Sequence, residues 1–343
     1  MSAGLSGQPA SFGAPVLYRA SGKVSPASLV IAAVLLIPLG ILLGAVYSAG
    51  VVYLPFVKLR GLVTFGTALL LGGIAGKLCH KLKYRSKFLA VLTILGFISI
   101  AYYTSWAVHP VFVVGLGEFG DDPLFIMLNM LDPRFILGWM KMIYENGLWG
   151  MGGGNALSGI AVVAIWLIEA GLLYGFGFVT GVAAYGNRPF CESCDCWNDE
   201  TQDLAVLPVA MSDPSWAQIR NGNFDALRKL QIVEDRNNSY VELRLADCSS
   251  CDDSDYLSAI GITLTVDNGE IKKNESYIFQ HLSVTRAQRD EIIAFAEAMA
   301  EAVEEMNQAL EDDTEDFEDS DGQVGDEDGS IGNEEDGNPY RPS

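Results

Sequence analysis

Two Cys-x-x-Cys pairs are the residues of this chain whose types and spacing most clearly predict chemistry. The first pair is Cys191 and Cys194, and the second is Cys248 and Cys251. Two such pairs usually build a tetrahedral thiolate site, because each short turn presents two sulfur atoms to one metal ion. We therefore expect one structural Zn²⁺ bound by these four cysteines. Cys196 lies two residues after the first pair and competes with Cys194 for its place, so the choice between them is open.

The long separation of the two pairs constrains the fold around such a site. Between Cys194 and Cys248 lie 53 residues, more than the roughly 15 to 20 of a compact zinc ribbon. The intervening chain must therefore fold back to close the site. A thiol oxidoreductase that uses one pair is the alternative, although neither pair is predicted in the strand-to-helix setting of a thioredoxin-type site. Six cysteines in 343 residues are too few for a disulfide scaffold and fit a reducing compartment.

Glu169 is the one ionisable residue deep inside a long apolar segment. Placing a carboxylate in a bilayer costs a few kcal/mol unless it is paired or faces water. No other apolar segment carries a complementary charge near its centre, so we expect Glu169 to be protonated or bonded to Ser, Thr or Tyr hydroxyls. Such a residue either organises a helix bundle or handles protons or cations. A small transporter centred on Glu169 is therefore a further alternative.

A dinucleotide-binding fingerprint is matched letter for letter by Gly115, Gly117 and Gly120, which follow a strand-like segment at 111–114. That motif needs a helix directly after the glycines and a second parallel strand beyond it. Here two aspartates and Pro123 follow, so we interpret the glycines as a flexible exit from an apolar segment. The three histidines are isolated in the sequence and supply no catalytic constellation. We therefore expect a protein that is not an enzyme.

Four apolar segments have about the length that a bilayer requires, and they predict a membrane α-helical bundle. They are residues 29–47, 62–78, 88–106 and 156–185, within a transmembrane domain at 28–187 that follows a flexible tail at 1–27. The end of the first segment is open, because 51–57 is apolar too. Small residues recur at four-residue spacing, which allows close helix packing, at Gly40 and Gly44, Gly72 and Gly76, Gly171 and Gly175, and Gly177 and Gly181.

The segment at about 107–155 is too apolar for an ordinary loop, and we expect it to lie at the outer membrane interface. Asp122 with Pro123, and Asp132 with Pro133, each predict the start of a short helix, because Asp caps a helix and Pro suits its first turn. Residues 188–310 predict a soluble α+β domain. Its expected strands are 239–246, 256–266 and 270–284, and its expected helices are 214–230 and one that begins after Thr285.

The distribution of charge predicts orientation. The formal net charge is −21, and fourteen acidic residues without a Lys or Arg fall between Glu311 and Asp336, so 311–343 is expected to be a disordered acidic tail. This composition argues against a nucleic-acid partner. Five basic residues crowd the loop between the second and third segments: Lys77, Lys81, Lys83, Arg85 and Lys87. Positive loops face the cytoplasm, which places both termini there, in a bacterial-type inner membrane.

These observations together predict a multi-pass membrane protein that is not an enzyme. Its cytoplasmic domain, stabilised by zinc, would serve interaction or regulation. The expected partners are the lipid bilayer and either another protein or a second copy of the chain.

Overall fold

The structure is a computed structural model that describes residues 16–54, 57–115, 130–147, 149–150, 156–231, 239–251, 254–267 and 270–302. These residues form two compact units. The first holds the described residues up to Gln202 together with Arg244–Ala259 and Tyr277–Arg286. The second holds Asp203–Leu243, Ile260–Ser276 and the described residues from Ala287 onward.

Five helices belong to the first unit: α1 (Pro26–Tyr53), α2 (Val57–Lys81), α3 (Lys87–Val114), α4 (Pro133–Asn146) and α5 (Ile160–Tyr185). All except α4 are long and apolar enough to cross a membrane. They also turn large apolar side chains outward, with Val34 65% and Leu167 69% exposed, as expected of helices surrounded by lipid. The four helices indicate an integral membrane protein, in agreement with the apolar segments of the sequence.

Three boundaries differ from the sequence-based expectation. Helix α1 includes the apolar residues after position 50 and ends at Tyr53. Helix α3 continues to Val114, so the interpretation of 111–114 as strand-like is wrong. His109, in the part of α3 beyond the predicted end, is buried and accepts a hydrogen bond from Trp139 Nε1 at 3.0 Å. Helix α5 begins at Ile160, because Ala156–Leu157 pairs with Trp149–Gly150 as two short antiparallel strands, β2 and β1.

Glycine pairs bring α2 and α5 into backbone contact. A Cβ atom added to Gly76 would overlap the carbonyl oxygen of Gly181, and one added to Gly72 would lie 2.9 Å from the carbonyl carbon of Gly177. The prediction of close packing therefore holds for these two pairs. It fails for Gly171 and Gly175, where an added Cβ would meet no described atom within 4 Å.

Helix α4 begins as the sequence predicts. The side chain of Asp132 caps it by accepting a hydrogen bond from the Arg134 backbone N–H at 2.8 Å, and Pro133 occupies its first turn. Ile136 and Ile143 are buried in a cluster with Trp106 and Trp166. The other predicted short helix, after Asp122, lies outside the described residues.

The remaining strands are β3 (Phe190–Cys191), β4 (Cys196–Trp197), β5 (Asp199–Leu207), β6 (Ser239–Asp247), β7 (Asp255–Asp267) and β8 (Glu270–Val284). Strands β5 to β8 are hydrogen-bonded in sequence order as one four-stranded sheet. The three strands predicted from the sequence are β6, β7 and β8. No prediction covered β5, since its first residues are mostly acidic or amide side chains with low β propensity.

The helices of the second unit are short or amphipathic. The predicted helix at 214–230 is two pieces, α6 (Ser215–Arg220) and a 3₁₀ helix (Phe224–Lys229). They are separated at Gly222, whose φ of +91° ends a right-handed helix. Residues 286–302 form α7, which buries Ile292 and Ala296. The acidic tail lies outside the described residues, as does most of the flexible tail predicted at the N-terminus.

Candidate metal centre

The first cysteine pair sits in a small hairpin. Strands β3 and β4 are antiparallel, with Cys191 opposite Cys196. Asp195 completes the turn with a φ of +51°, a left-handed conformation that Asp tolerates better than most residues. The backbone N–H of Cys194 points back at the Cys191 sulfur, 3.4 Å away. The hairpin thus turns two sulfurs to one side and aims an amide at one of them.

The second pair forms the connection between two strands of the sheet. Cys248 directly follows β6 and Cys251 precedes β7, with the Cys251 backbone N–H donating to the Cys248 carbonyl at 3.4 Å. Both pairs belong to the first unit. The chain between them therefore returns to its starting point, as the long spacing requires.

The structure brings four sulfur atoms together, those of Cys191, Cys194, Cys248 and Cys251. All lie within 4.8 Å of one another, and the Cys191 and Cys251 sulfurs are 3.5 Å apart. Four thiolates around Zn²⁺ at about 2.3 Å would stand about 3.8 Å apart at the corners of a tetrahedron. The distances between the sulfur atoms are therefore close to those of a four-thiolate metal site.

Cys196 lies beside this cluster, with its sulfur 3.6 Å from that of Cys248. The set of four mutually close sulfurs nevertheless contains Cys194 and not Cys196. This favours Cys194 as the fourth ligand. The register of the hairpin explains the difference, because Cys196 is the cross-strand partner of Cys191 rather than a member of the turn.

The thiols differ in how readily they ionise. Burial opposes ionisation of Cys248, but backbone hydrogen bonds from Ser250 and Cys251, with the Cys196 thiol, lower the pKa of Cys248 to about 7. Hydrogen bonding with Cys251, aided by burial, raises the pKa of Cys194. Burial, with Cys248 beside it, raises the pKa of Cys196 to about 11. Among the three thiols with a shifted pKa, Cys248 thus ionises most readily, and a bound cation would favour the thiolate form of its ligands.

Trp197 connects this hairpin to the end of α2. Its indole ring stacks on the imidazole of His80, with ring centroids 4.9 Å apart, and its Nε1 donates to the His80 carbonyl oxygen at 2.9 Å. His80 Nδ1 in turn donates to the carbonyl oxygen of Tyr185, the last residue of α5, at 3.0 Å. His80 of α2 is therefore hydrogen-bonded both to the end of α5 and to the cysteine hairpin.

Charged pairs extend the same contact along the loop between α2 and α3. Lys83 pairs with Asp195 at 2.8 Å, and Arg85 pairs with Glu192 while its guanidinium lies 4.8 Å from the centroid of the Phe190 ring. Exposed ion pairs contribute little stability individually. They do satisfy two of the five basic residues from which the sequence predicted a cytoplasmic loop.

A buried asparagine joins the two cysteine segments. Asn198 is fully buried, its backbone N–H donates to the Pro189 carbonyl at 2.9 Å, and its side-chain amide donates to the Ser254 carbonyl. Buried polar groups are costly unless they are bonded. This bridge therefore fixes the first cysteine hairpin relative to the turn after Cys251. No spacing motif in the sequence identified Asn198.

Glu169 lies in α5, and its neighbours are hydroxyl groups rather than the cysteines. Its carboxyl is partly buried and hydrogen-bonded to Tyr47 of α1. Of the glycine fingerprint, only Gly115 is described, and it ends α3 with a φ of +90°. The sequence did not single out Tyr47, although a tyrosine near the end of an apolar segment was a usable signal.

Comparison with known proteins supplies no family. No family model matches the chain, and neither curated proteins nor solved structures show a similar sequence or fold. Function must therefore come from the chemistry of the sites themselves.

Proposed function

We propose that this chain is a multi-pass protein of a bacterial-type inner membrane in which one structural Zn²⁺ fastens the first part of the C-terminal region to the cytoplasmic ends of the membrane helices. Cys191, Cys194, Cys248 and Cys251 bind the ion. The protein is not an enzyme, and its cytoplasmic region serves interaction or regulation. The mutual approach of the four sulfurs is the observation that carries this proposal.

The ligand chemistry favours zinc in a structural role. Four thiolates in a tetrahedron select Zn²⁺ or an iron–sulfur centre among common metals. Four protein ligands leave no open coordination position for a substrate, unlike catalytic zinc sites. Two close sulfur contacts, Cys191 with Cys251 at 3.5 Å and Cys196 with Cys248 at 3.6 Å, join the first cysteine segment to the second. An oxidoreductase would instead need the two sulfurs of one pair to form a disulfide.

The surroundings of the hairpin support a fastening role. Trp197 of the hairpin donates to His80 near the end of α2, and Arg85 of the loop between α2 and α3 pairs with Glu192 of the hairpin. Removing the metal would break the link through sulfur between the hairpin and the turn after β6, while the Asn198 bridge to Ser254 and the contacts to the loop would persist. The metal would therefore add a strong second link between the chain after α5 and the sheet. The acidic segment 311–336 would attract basic partners to the same side of the membrane.

Metal analysis of the full chain tests this proposal. The protein is purified in detergent under reducing conditions, and zinc and iron are measured by mass spectrometry. We expect about one zinc per chain and no stoichiometric iron. Cys248→Ser should lose the zinc, while Cys79→Ala, which removes a cysteine outside the cluster, should retain it. Less than about half an equivalent of zinc in the unsubstituted protein would refute the site, since four thiolates bind tightly.

Two further variants identify the fourth ligand. Cys194→Ser should release zinc and Cys196→Ser should not, because Cys194 belongs to the mutually close set. The reverse result would assign Cys196. Orientation is tested separately with reporter fusions: those after Lys83 and after Leu310 should report the cytoplasm, and one at Asn146 the outside. A reporter after Leu310 that faces outside would overturn the cytoplasmic assignment.

A further inference from the structure

A small polar cavity lies inside the helix bundle of the first unit. Its volume is about 20 Å³, and polar groups from three helices line it: Tyr47 and Ser48 of α1, Ser105 and His109 of α3, and Glu169 of α5. A space of this size holds one water molecule or one cation without its hydration shell. A polar cavity between membrane helices is uncommon and indicates a functional position.

The carboxyl of Glu169 is hydrogen-bonded to the Tyr47 hydroxyl. Arg60 of α2 interacts with Glu169 electrostatically, while its Nε donates to the carbonyl oxygen of Leu54 at 2.9 Å. A carboxylate among apolar helices needs compensation, which a proton or a cation from solvent in the adjoining cavity would supply.

The number of hydrogens in the adjoining chain of hydroxyls points to a proton on Glu169. Thr64 donates its single hydroxyl hydrogen to the carbonyl oxygen of Arg60 at 3.0 Å, and Tyr47 lies 3.0 Å from the Thr64 hydroxyl oxygen. If Tyr47 donates to Glu169, no hydrogen remains between Tyr47 and Thr64. A protonated Glu169 donates to Tyr47 instead, so Tyr47 can donate to Thr64 and every contact contains a hydrogen.

The other side of the cavity supplies oxygen for a cation. Ser48 is 2% exposed, and its hydroxyl has no hydrogen-bond partner among the described residues. His109 Nδ1 accepts from Trp139, so neutral His109 carries its hydrogen on Nε2. Tyr102 of α3 is the remaining titratable group that interacts with Glu169. The buried Ser48 oxygen and the Glu169 carboxylate are thus able to contact a small cation directly, and the hydroxyl oxygens of Tyr47 and Ser105 line the same cavity.

We propose that Glu169 and this cavity form a binding site for one small monovalent cation, held either as a proton on the carboxyl group or as Na⁺ between Glu169 and Ser48. The two forms exchange with conserved charge. Entry of Na⁺ accompanies release of the carboxyl proton to water, and return of the proton expels Na⁺. Tyr47 then donates to the carboxylate in the sodium form and accepts from the carboxylic acid in the proton form.

Labelling with a hydrophobic carbodiimide tests the site, because this reagent modifies protonated carboxyl groups in apolar surroundings. The full chain in lipid nanodiscs is labelled from about pH 5 to about pH 9, and peptide mass spectrometry measures the modified fraction at Glu169. We expect modification that declines as the pH rises. Glu145 of α4, which is exposed and paired with Lys141, is the matched carboxyl that should remain unmodified.

Added salt distinguishes the two forms of the bound cation. Protection of Glu169 by NaCl, but not by choline chloride at equal ionic strength, assigns Na⁺. In that case Ser48→Ala should raise the protecting Na⁺ concentration about tenfold, since one ligand oxygen is lost. Modification that depends on pH but not on Na⁺ assigns the proton alone. Either result supports the site.

A second measurement on the same samples defines the result that would contradict the proposed cation site. Infrared spectra of the unsubstituted protein and of Glu169→Gln are compared at about pH 5, where a protonated carboxyl would absorb. If Glu169 is unmodified at every pH and the two spectra show no carboxylic-acid difference, Glu169 binds neither cation and the proposal is wrong. Zinc content of Glu169→Gln serves as the folding control, because the cysteine cluster is formed by other residues.

Discussion

Alanine substitutions along α2 and α5 should have opposite effects according to whether the glycine faces the other helix. Gly76→Ala places a methyl group against the Gly181 carbonyl and 3.0 Å from the Cβ of Ala184. The obstacle is backbone, so no change of rotamer relieves it and the helices must separate. Gly175→Ala, on the same helix as Gly181, meets no described atom within 4 Å.

The size of this difference follows from two opposing effects. Alanine favours a helix over glycine by about 1 kcal/mol, and this gain applies at both positions. Overpacking costs about 1–3 kcal/mol, and it applies at Gly76 alone. We therefore expect Gly76→Ala to be destabilised by about 1 kcal/mol and Gly175→Ala to be stabilised by up to about 1 kcal/mol.

Thermal unfolding in one detergent measures the comparison. A difference near 2 kcal/mol corresponds to roughly 3 °C between the two midpoints for a chain of 343 residues. Gly181→Ala, which places its methyl group 2.7 Å from Ile94 Cγ2, should behave like Gly76→Ala. If Gly76→Ala and Gly175→Ala shift the midpoint equally and in the same direction, α2 and α5 do not make the close approach described above.

Three further predictions concern the remaining parts of the fold. Burial, with a smaller effect of Lys87, lowers the pKa of His281 to about 4, so the unfolded chain binds a proton first as the pH falls. The contribution of His281 to the free energy of unfolding should therefore decrease by roughly 1 kcal/mol per pH unit between about pH 6.5 and pH 4, and His281→Asn, in which Asn tolerates the positive φ at this position, should reduce the pH dependence by that amount. Trp197→Phe should cost about 1 kcal/mol in thermal unfolding, through the lost Nε1 hydrogen bond; an unchanged midpoint would show that this bond is not formed. Asp132→Ala should destabilise α4 by about 1 kcal/mol, measured as faster amide exchange at Arg134, and an unchanged rate there would contradict the cap.

The membrane helices and the central strands were predictable because their signals are local. A run of twenty apolar residues has few alternatives to a spanning helix, and alternating or continuous apolar residues mark the strands β6 to β8. The end of α3 was not predictable in this way. The predicted segment ended at residue 106, and only the position of Trp139, thirty residues after His109, shows that the His109 imidazole is buried and bonded. Contacts between distant segments override local hydropathy at such points.

The candidate sites likewise contain parts that local sequence predicts and parts that depend on contacts between distant segments. Spacing alone assembled Cys191, Cys194, Cys248 and Cys251, because the geometry of a Cys-x-x-Cys turn is a local property. The preference for Cys194 over Cys196 depends on hairpin register, which spacing does not determine. For Glu169, the sequence identified an unusual carboxyl but not Tyr47, since the pairing of α1 with α5 is a tertiary contact. The ligand set and the role of Glu169 stay predictions until metal and labelling experiments are made.

We expect a metal at the cysteine cluster to stabilise the fold mainly because of where the four cysteines lie along the chain, and less because of how many ligands they supply. Cys191 follows the end of α5 by six residues, whereas Cys248 is separated from Cys194 by 53. A cross-link that closes a loop of this length removes about 4 kcal/mol of conformational entropy from the unfolded chain, by the relation used for disulfides. The short segment before Cys191 begins at the end of α5, where the Tyr185 carbonyl oxygen accepts a hydrogen bond from His80. The start of the long segment also contacts α2, through Trp197 and His80. A metal ion held by both cysteine pairs would restrain the far end of the long segment as well, at Cys248, and so would connect the membrane exit to the strand that Cys248 follows.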